Sequence, residues 1–126
     1  MLKNAKLVAF CATARPDESR QFYQSVIGLT LLENSPFALV FDSNGTELRI
    51  QKVASVAPGA GTALGWSVVN IEAHIRELAG HGVLCEKFPG MQQDELGIWA
   101  TPDGAKVAWF RDPDGNMLSL TEYVSA

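Results

Sequence analysis

The stretch Arg111-Asp112-Pro113-Asp114-Gly115-Asn116 lies between the apolar runs Val107-Ala108-Trp109-Phe110 and Met117-Leu118-Ser119-Leu120, and its chemistry dictates a hairpin. Asp112 suits the first position of a type I turn, Pro113 pre-sets the backbone of the second, and Gly115 supplies the left-handed residue that lets the strands re-pair. Two other stretches share this chemistry. Asp42-Ser43-Asn44-Gly45 separates Ala38-Leu39-Val40-Phe41 from Leu48-Arg49-Ile50, and Thr101-Pro102-Asp103-Gly104 precedes Ala105-Lys106-Val107-Ala108. The first and last of the three turns suggest a chain that repeats itself.

The elements around the turns support a repeat. Residues 5–12 form a short, mostly apolar run that reads as a largely buried strand. A helix follows, with Thr13 or Asp17 as its cap and Phe22, Tyr23, Val26 and Ile27 at helical spacing, until Gly28 stops it. Strands are expected over 29–33, 37–41 and 46–53. Residues 54–61, rich in Ala, Ser, Pro and Gly, form a linker. The same order then returns: a strand over 63–69, a helix capped by Asn70 and stopped near Gly80 and Gly82, and strands over 83–88, 105–110 and 117–123. Both halves read βαβββ. They form one domain with modules over 1–53 and 62–126, joined by the linker. Gly82 follows Gly28 by 54 residues, whereas Asp112 follows Asp42 by 70, so the second half carries 16 extra residues. These fall in residues 89–99 and the turn after them, as a long loop or an added edge strand.

Composition limits the partners. A chain of 126 residues with 47% apolar and 19% charged residues is expected to be a compact globule. Its net charge of −4, with no basic run, argues against nucleic acid. No apolar stretch reaches the roughly 18 residues of a membrane span, and no signal-peptide pattern opens the chain, so a cytoplasmic protein is expected. Cys11 and Cys85 read as two buried thiols, not as a disulfide or a metal pair.

The two βαβββ halves, Phe22-Tyr23 ahead of Ile27-Gly28-Leu29, and the final Asp-Pro-Asp-Gly-Asn hairpin followed by Met-Leu-Ser-Leu-Thr-Glu together resemble the vicinal oxygen chelate superfamily. That group includes glyoxalase I, bleomycin resistance proteins, fosfomycin-modifying enzymes and extradiol dioxygenases. The resemblance implies an α+β fold of two βαβββ modules forming paired cup-shaped mixed sheets around a cavity, in a homodimer. In members with metal chemistry it also implies His or carboxylate ligands on the inner strands. Matched to that pattern, the ligand positions fall at Val8, Arg49, Ala63 and Ser119, which do not make a divalent-metal site. Glu47 keeps the face of Arg49, whereas Glu122 is out of phase with Ser119. His74 and His81, seven residues apart, stand roughly 10 Å apart along a helix and read as solvated side chains. No metal and no cofactor are therefore expected.

Strand alternation adds Phe10, Gln51, Gly65, Ser67 and Thr121 to the face of Arg49 and Ser119. With Trp99 from the inserted segment, Arg49, Ser119, Gln51, Phe10, Ser67 and Thr121 form the expected ligand-binding set, suited to a small hydrophobic or weakly anionic molecule. Trp66 should point away from this face and Trp109 should lie in the core. No nucleophile arrangement, phosphate loop or dinucleotide pattern is visible. The leading expectation is a metal-free, bleomycin-resistance-like binding protein. A lyase or dioxygenase, either metal-dependent or using Arg49 electrostatically, is one alternative, and a dimeric interaction module is another.

Overall fold

A computed structural model of the chain describes residues 1–125; Ala126, the last residue of the expected second module, lies outside them. The chain forms two compact units, the first Met1–Pro58 and the second beginning at Gly59.

In the first unit β1 (Val8–Thr13) leads into α1 (Pro16–Gln21), a π-helical turn (Phe22–Val26), β2 (Thr30–Asn34), β3 (Ala38–Ser43) and β4 (Thr46–Lys52). The sheet order is β1-β4-β3-β2, with β1 parallel to β4 and the other pairs antiparallel. The β3–β4 hairpin closes on Asn44 and Gly45, at φ of 47° and 91°. Positive φ at both central residues is the turn whose twist matches the flanking strands. Leu39, Phe41, Leu48, Ile50 and Cys11 alternate onto one buried face. Tyr23, wholly buried, stands against it with its ring 5.9 Å from Phe41.

Neither Thr13 nor Asp17 caps α1, which follows Arg15 without a side-chain cap. Thr13 is held extended by its pairing with Lys52 at the end of β1. From there its hydroxyl accepts from the Arg15 amide at 3.0 Å and from Ser19 Oγ at 2.7 Å. The helix then widens so that Ile27 N–H donates to Phe22 O, five residues back, at 2.9 Å. Gly28, at φ 87°, ends it.

The second unit contains β5 (Leu64–Ser67), α2 (Ile71–Gly80), β6 (Trp99–Ala100), β7 (Lys106–Arg111) and β8 (Met117–Glu122), in sheet order β5-β8-β7-β6. Strand β5 runs parallel to β8 and the rest are antiparallel. Asn70 caps α2, its Oδ1 accepting from the Ala73 amide at 3.1 Å. Glu122 Oε1 takes a second unpaired helix amide, that of Ile71, at 3.0 Å. Ile71, Ile75 and Leu78 are buried. Asp112 orders the last hairpin by accepting from the amides of Asp114 (3.0 Å) and Asn116 (2.9 Å).

Residues 83–88 do not form the strand expected of them. The Glu86 amide donates to Trp109 O of β7 at 2.7 Å, before Pro89 and Gly90, the latter at φ 79°, turn the chain away. The edge position beside β7 is taken by the two residues of β6, and the carbonyl of Glu86 and the amide of Phe88 bond to the Gln93 side chain instead. Cys85 is half-buried, not fully buried as expected, while Cys11 is buried. No helix among the described residues is long and apolar enough to cross a membrane.

Candidate ligand-binding faces

Each sheet covers its core with a helix and leaves a second face. In the first unit the register sets Phe10 beside Arg49, Ala12 beside Gln51 and Val8 beside Glu47. The side chains of Arg49, Gln51 and Phe10 therefore share the face opposite Leu48 and Ile50. Phe10 is 53% exposed, a large apolar ring open on that face. Arg49 Nη1 donates to Glu47 Oε2 at 3.2 Å, with the two side chains 34% and 43% exposed. The guanidinium is thus partly neutralised in place.

In the second unit Ser119 lies between Gly65 and Trp109, and Thr121 between Ser67 and Val107, which in turn adjoins Trp99. All of these share the face away from α2, whereas Trp66 pairs with Leu120 on the core side. A Cβ on residue 65 would lie 2.7 Å from Ser119 Oγ, so the glycine makes room for the hydroxyl.

Trp109 does not belong to the core as expected. It is half-buried on the open face, stacked on Trp99 at 6.2 Å and 29°, with Phe88 edge-on to it at 5.6 Å and 88°. Its Nε1 donates to Thr62 Oγ1 at 3.2 Å. Both geometries are favoured for aromatic pairs. Trp109 was nonetheless within reach of the sequence: the hairpin at 112–116 pairs Arg111 with Met117 and therefore Trp109 with Ser119. Beside this wall an open cleft of about 450 Å³ is lined by Phe88, Pro89, Gly90, Met91, Gln92 and Trp99. Five of those six lining residues were absent from the expected set, because their place depends on a loop with no periodicity.

The expected residues thus fall on two faces: Phe10, Arg49 and Gln51 on one, and Ser67, Trp99, Ser119 and Thr121 on the other. As metal donors they fit poorly. Val8, the ion-paired Arg49, Ala63 and Ser119, which stand at the positions that the resemblance matches to metal ligands, offer neither imidazole nor carboxylate. Among the described residues no group of three or more His, Cys, Asp or Glu could hold an ion. Glu122 is committed to α2, and His74 and His81 are exposed. Cys85 is kept protonated, its pKa pushed up to about 11 by burial and then by the nearby carboxylates of Asp94 and Glu86.

Two βαβββ units, each a four-stranded mixed sheet with its helix on one face, define the fold class. The family model of the Glyoxalase/Bleomycin resistance protein/Dioxygenase superfamily matches residues 8–120, and the chain belongs to that superfamily. No curated protein matches it closely enough to add to this. Solved structures that resemble it include a lactoylglutathione lyase from Agrobacterium tumefaciens, 16% identical, with a TM-score of 0.74 over 94% of this chain and 93% of that one. TnmS3, an antibiotic binding protein from Streptomyces sp. CB03234, is 21% identical with a TM-score of 0.72 over 98% and 99%. A glyoxalase family protein from Enterococcus faecalis is 21% identical with a TM-score of 0.70 over 97% and 100%. At these identities the likeness is one of fold.

Proposed function

We propose that this chain binds a small hydrophobic or weakly anionic organic molecule without a metal ion. The observation that carries the reading is the aromatic wall of Trp99, Trp109 and Phe88 beside the open cleft on the second sheet. The cleft is lined by apolar groups and one amide, Gln92, a mixture that favours an apolar body with little charge. Ser119 and Thr121 stand on the same face, where their hydroxyls can orient a polar substituent. The Arg49 face offers a cation to an anionic group. The antibiotic-binding neighbour supports the same reading, as does the poor fit of the strand positions to metal donors. In the cell the protein acts as a cytoplasmic homodimer, a state checked by a sedimentation mass of twice the chain.

The test uses 8-anilinonaphthalene-1-sulfonate, an aromatic probe with one anionic group, followed by energy transfer from tryptophan. Saturable binding with one probe per chain is expected, weakened about tenfold, or ~1.4 kcal/mol, by Trp99→Ala. Absence of saturable binding, or an affinity indifferent to Trp99→Ala, overturns the reading. With the same probe, an unchanged affinity in Arg49→Ala removes Arg49 from binding.

A further inference from the structure

The inserted segment was expected to be a loop or an edge strand, and what orders it is one side chain. An amide side chain has one carbonyl to accept with and two N–H groups to donate. Gln93 uses all three. Its Oε1 accepts from the Phe88 amide at 2.7 Å, while Nε2 donates to Glu86 O at 2.9 Å and to Gly97 O at 2.9 Å. The orientation is fixed by the partners, since a backbone N–H must face the oxygen and two carbonyls must face the nitrogen.

These bonds fall on the two chain segments that carry the aromatic face. Phe88 opens the rim of the cleft and Gln93 follows Gln92, its last loop residue, so the Phe88–Gln93 bond closes the rim at its base. Gly97 leads into Trp99, and Gln93 is itself bridged to Trp99 through the backbone. Asp94 adds local order, accepting from the amides of Leu96 and Ile98 at 2.9 Å each. Gly97 packs so closely that a Cβ there would lie 2.9 Å from Cys85 Cβ. None of these local contacts ties Phe88 to the Trp99 segment. Gln93 does.

We infer that Gln93 is the positioning residue of the aromatic face, holding Phe88 and Trp99 at the spacing the cleft requires. Its importance for ligand binding rests on the function proposed above, but its effect on the tryptophans does not. Gln93→Leu leaves one amide and two carbonyls without partners. Gln93→Glu keeps the acceptor toward Phe88 but turns an anionic oxygen toward Glu86 O and Gly97 O. Protonation of the introduced carboxyl restores one donor, and facing two carbonyls raises its pKa above the ordinary value of about 4.3. The surrounding ionisable groups are Cys85, Glu86, Lys87, Asp94 and Glu95 along the chain, and Arg111 of β7, which is paired with Glu86 at 2.9 Å. The wild-type chain, titrated in parallel, accounts for them.

The experiment follows the near-ultraviolet circular dichroism of the tryptophans from pH 8 to pH 5 in wild type and both variants, with anilinonaphthalene sulfonate affinity measured alongside. At pH 8 both variants should lose most of the tryptophan signal and bind the probe about tenfold more weakly. On acidification the signal should return in Gln93→Glu, stay low in Gln93→Leu and remain flat in wild type. Wild-type signal in both variants at pH 8, or a Gln93→Glu signal indifferent to pH, overturns the inference. If the probe fails to bind the wild-type chain, the proposed function falls while the tryptophan titration still decides the role of Gln93. Should neither variant fold, hydrogen exchange in the wild-type chain decides: the Phe88 amide should be protected as well as that of Ile98, and rapid exchange at Phe88 overturns the assignment.

Discussion

The Ser119 hydroxyl exists where it does because residue 65, directly across the ladder, has no side chain. Gly65→Ala would set a methyl 2.7 Å from Ser119 Oγ but an ordinary 3.7 Å from its carbonyl, so a rotation of the hydroxyl relieves most of the clash. The substitution should cost about 1 kcal/mol in urea unfolding and be largely silent in a Ser119→Ala background, a coupling that a double-mutant cycle reads directly. Cys85 makes a prediction about pH. Its raised pKa of about 11, against an ordinary 9.0, leaves a thiolate fraction at pH 8 roughly 100-fold below that of an unperturbed thiol. The higher basicity returns roughly tenfold in nucleophilicity, so reaction with a disulfide reagent should run roughly tenfold slower in the folded chain than in urea. The sign for stability follows. Between the two pKa values the folded state holds the proton and the unfolded state releases it, so the contribution is complete below pH 9 and is lost as pH rises toward 11. A Cys85→Ser chain should show less loss of stability between pH 9 and 11. At this scale the sequence was legible where alternation applied, which placed Arg49 with Phe10 and Ser119 with Thr121. It misled at Trp109, where an apolar run outweighed the register that the neighbouring turn imposes.

Helices and strands were read well where their ends carry their own chemistry. Asn70 and Gly82 bracket α2 as the sequence implied, and Asn70→Ala should cost about 1 kcal/mol, measured by chemical denaturation. The Glu122 contact was not legible, because it joins positions 51 residues apart. The first helix was harder still. Its expected cap, Thr13, is occupied as the last residue of a strand, and a π-helical turn appears where only helical spacing could be read. That turn seats Phe22 and Tyr23 side by side in the core, with ring centroids 5.1 Å apart. Tyr23→Ala should therefore cost about 3–5 kcal/mol in urea unfolding, as removal of a fully buried aromatic does. Residues 83–88 have a strand's composition without a strand's partner. Their hydrogen bonds pass to a glutamine whose position in sequence gives no sign of it.

For the molecule as a whole, repetition was the legible quantity. Two turns of like chemistry gave the doubled βαβββ plan, and the family match over residues 8–120 agrees with it. The proposed metal-free binding rests on Val8, Arg49, Ala63 and Ser119 at the positions that the resemblance matches to metal ligands. Adding magnesium, manganese, nickel or zinc should accordingly leave the melting temperature unchanged, and elemental analysis should find well under one equivalent of metal per chain. A shift that grows with metal concentration would mean specific binding and would contradict the proposal. Two of the four edge strands, β2 and β6, have one more consequence. Strand β2 has an irregular register between Leu31 and Glu33, and β6 is two residues long beside carbonyls already bonded to Gln93. Neither offers the long, flat row of unpaired amides and carbonyls on which a foreign chain can add itself. The detour that shapes the cleft therefore also guards a sheet margin against fibrous growth.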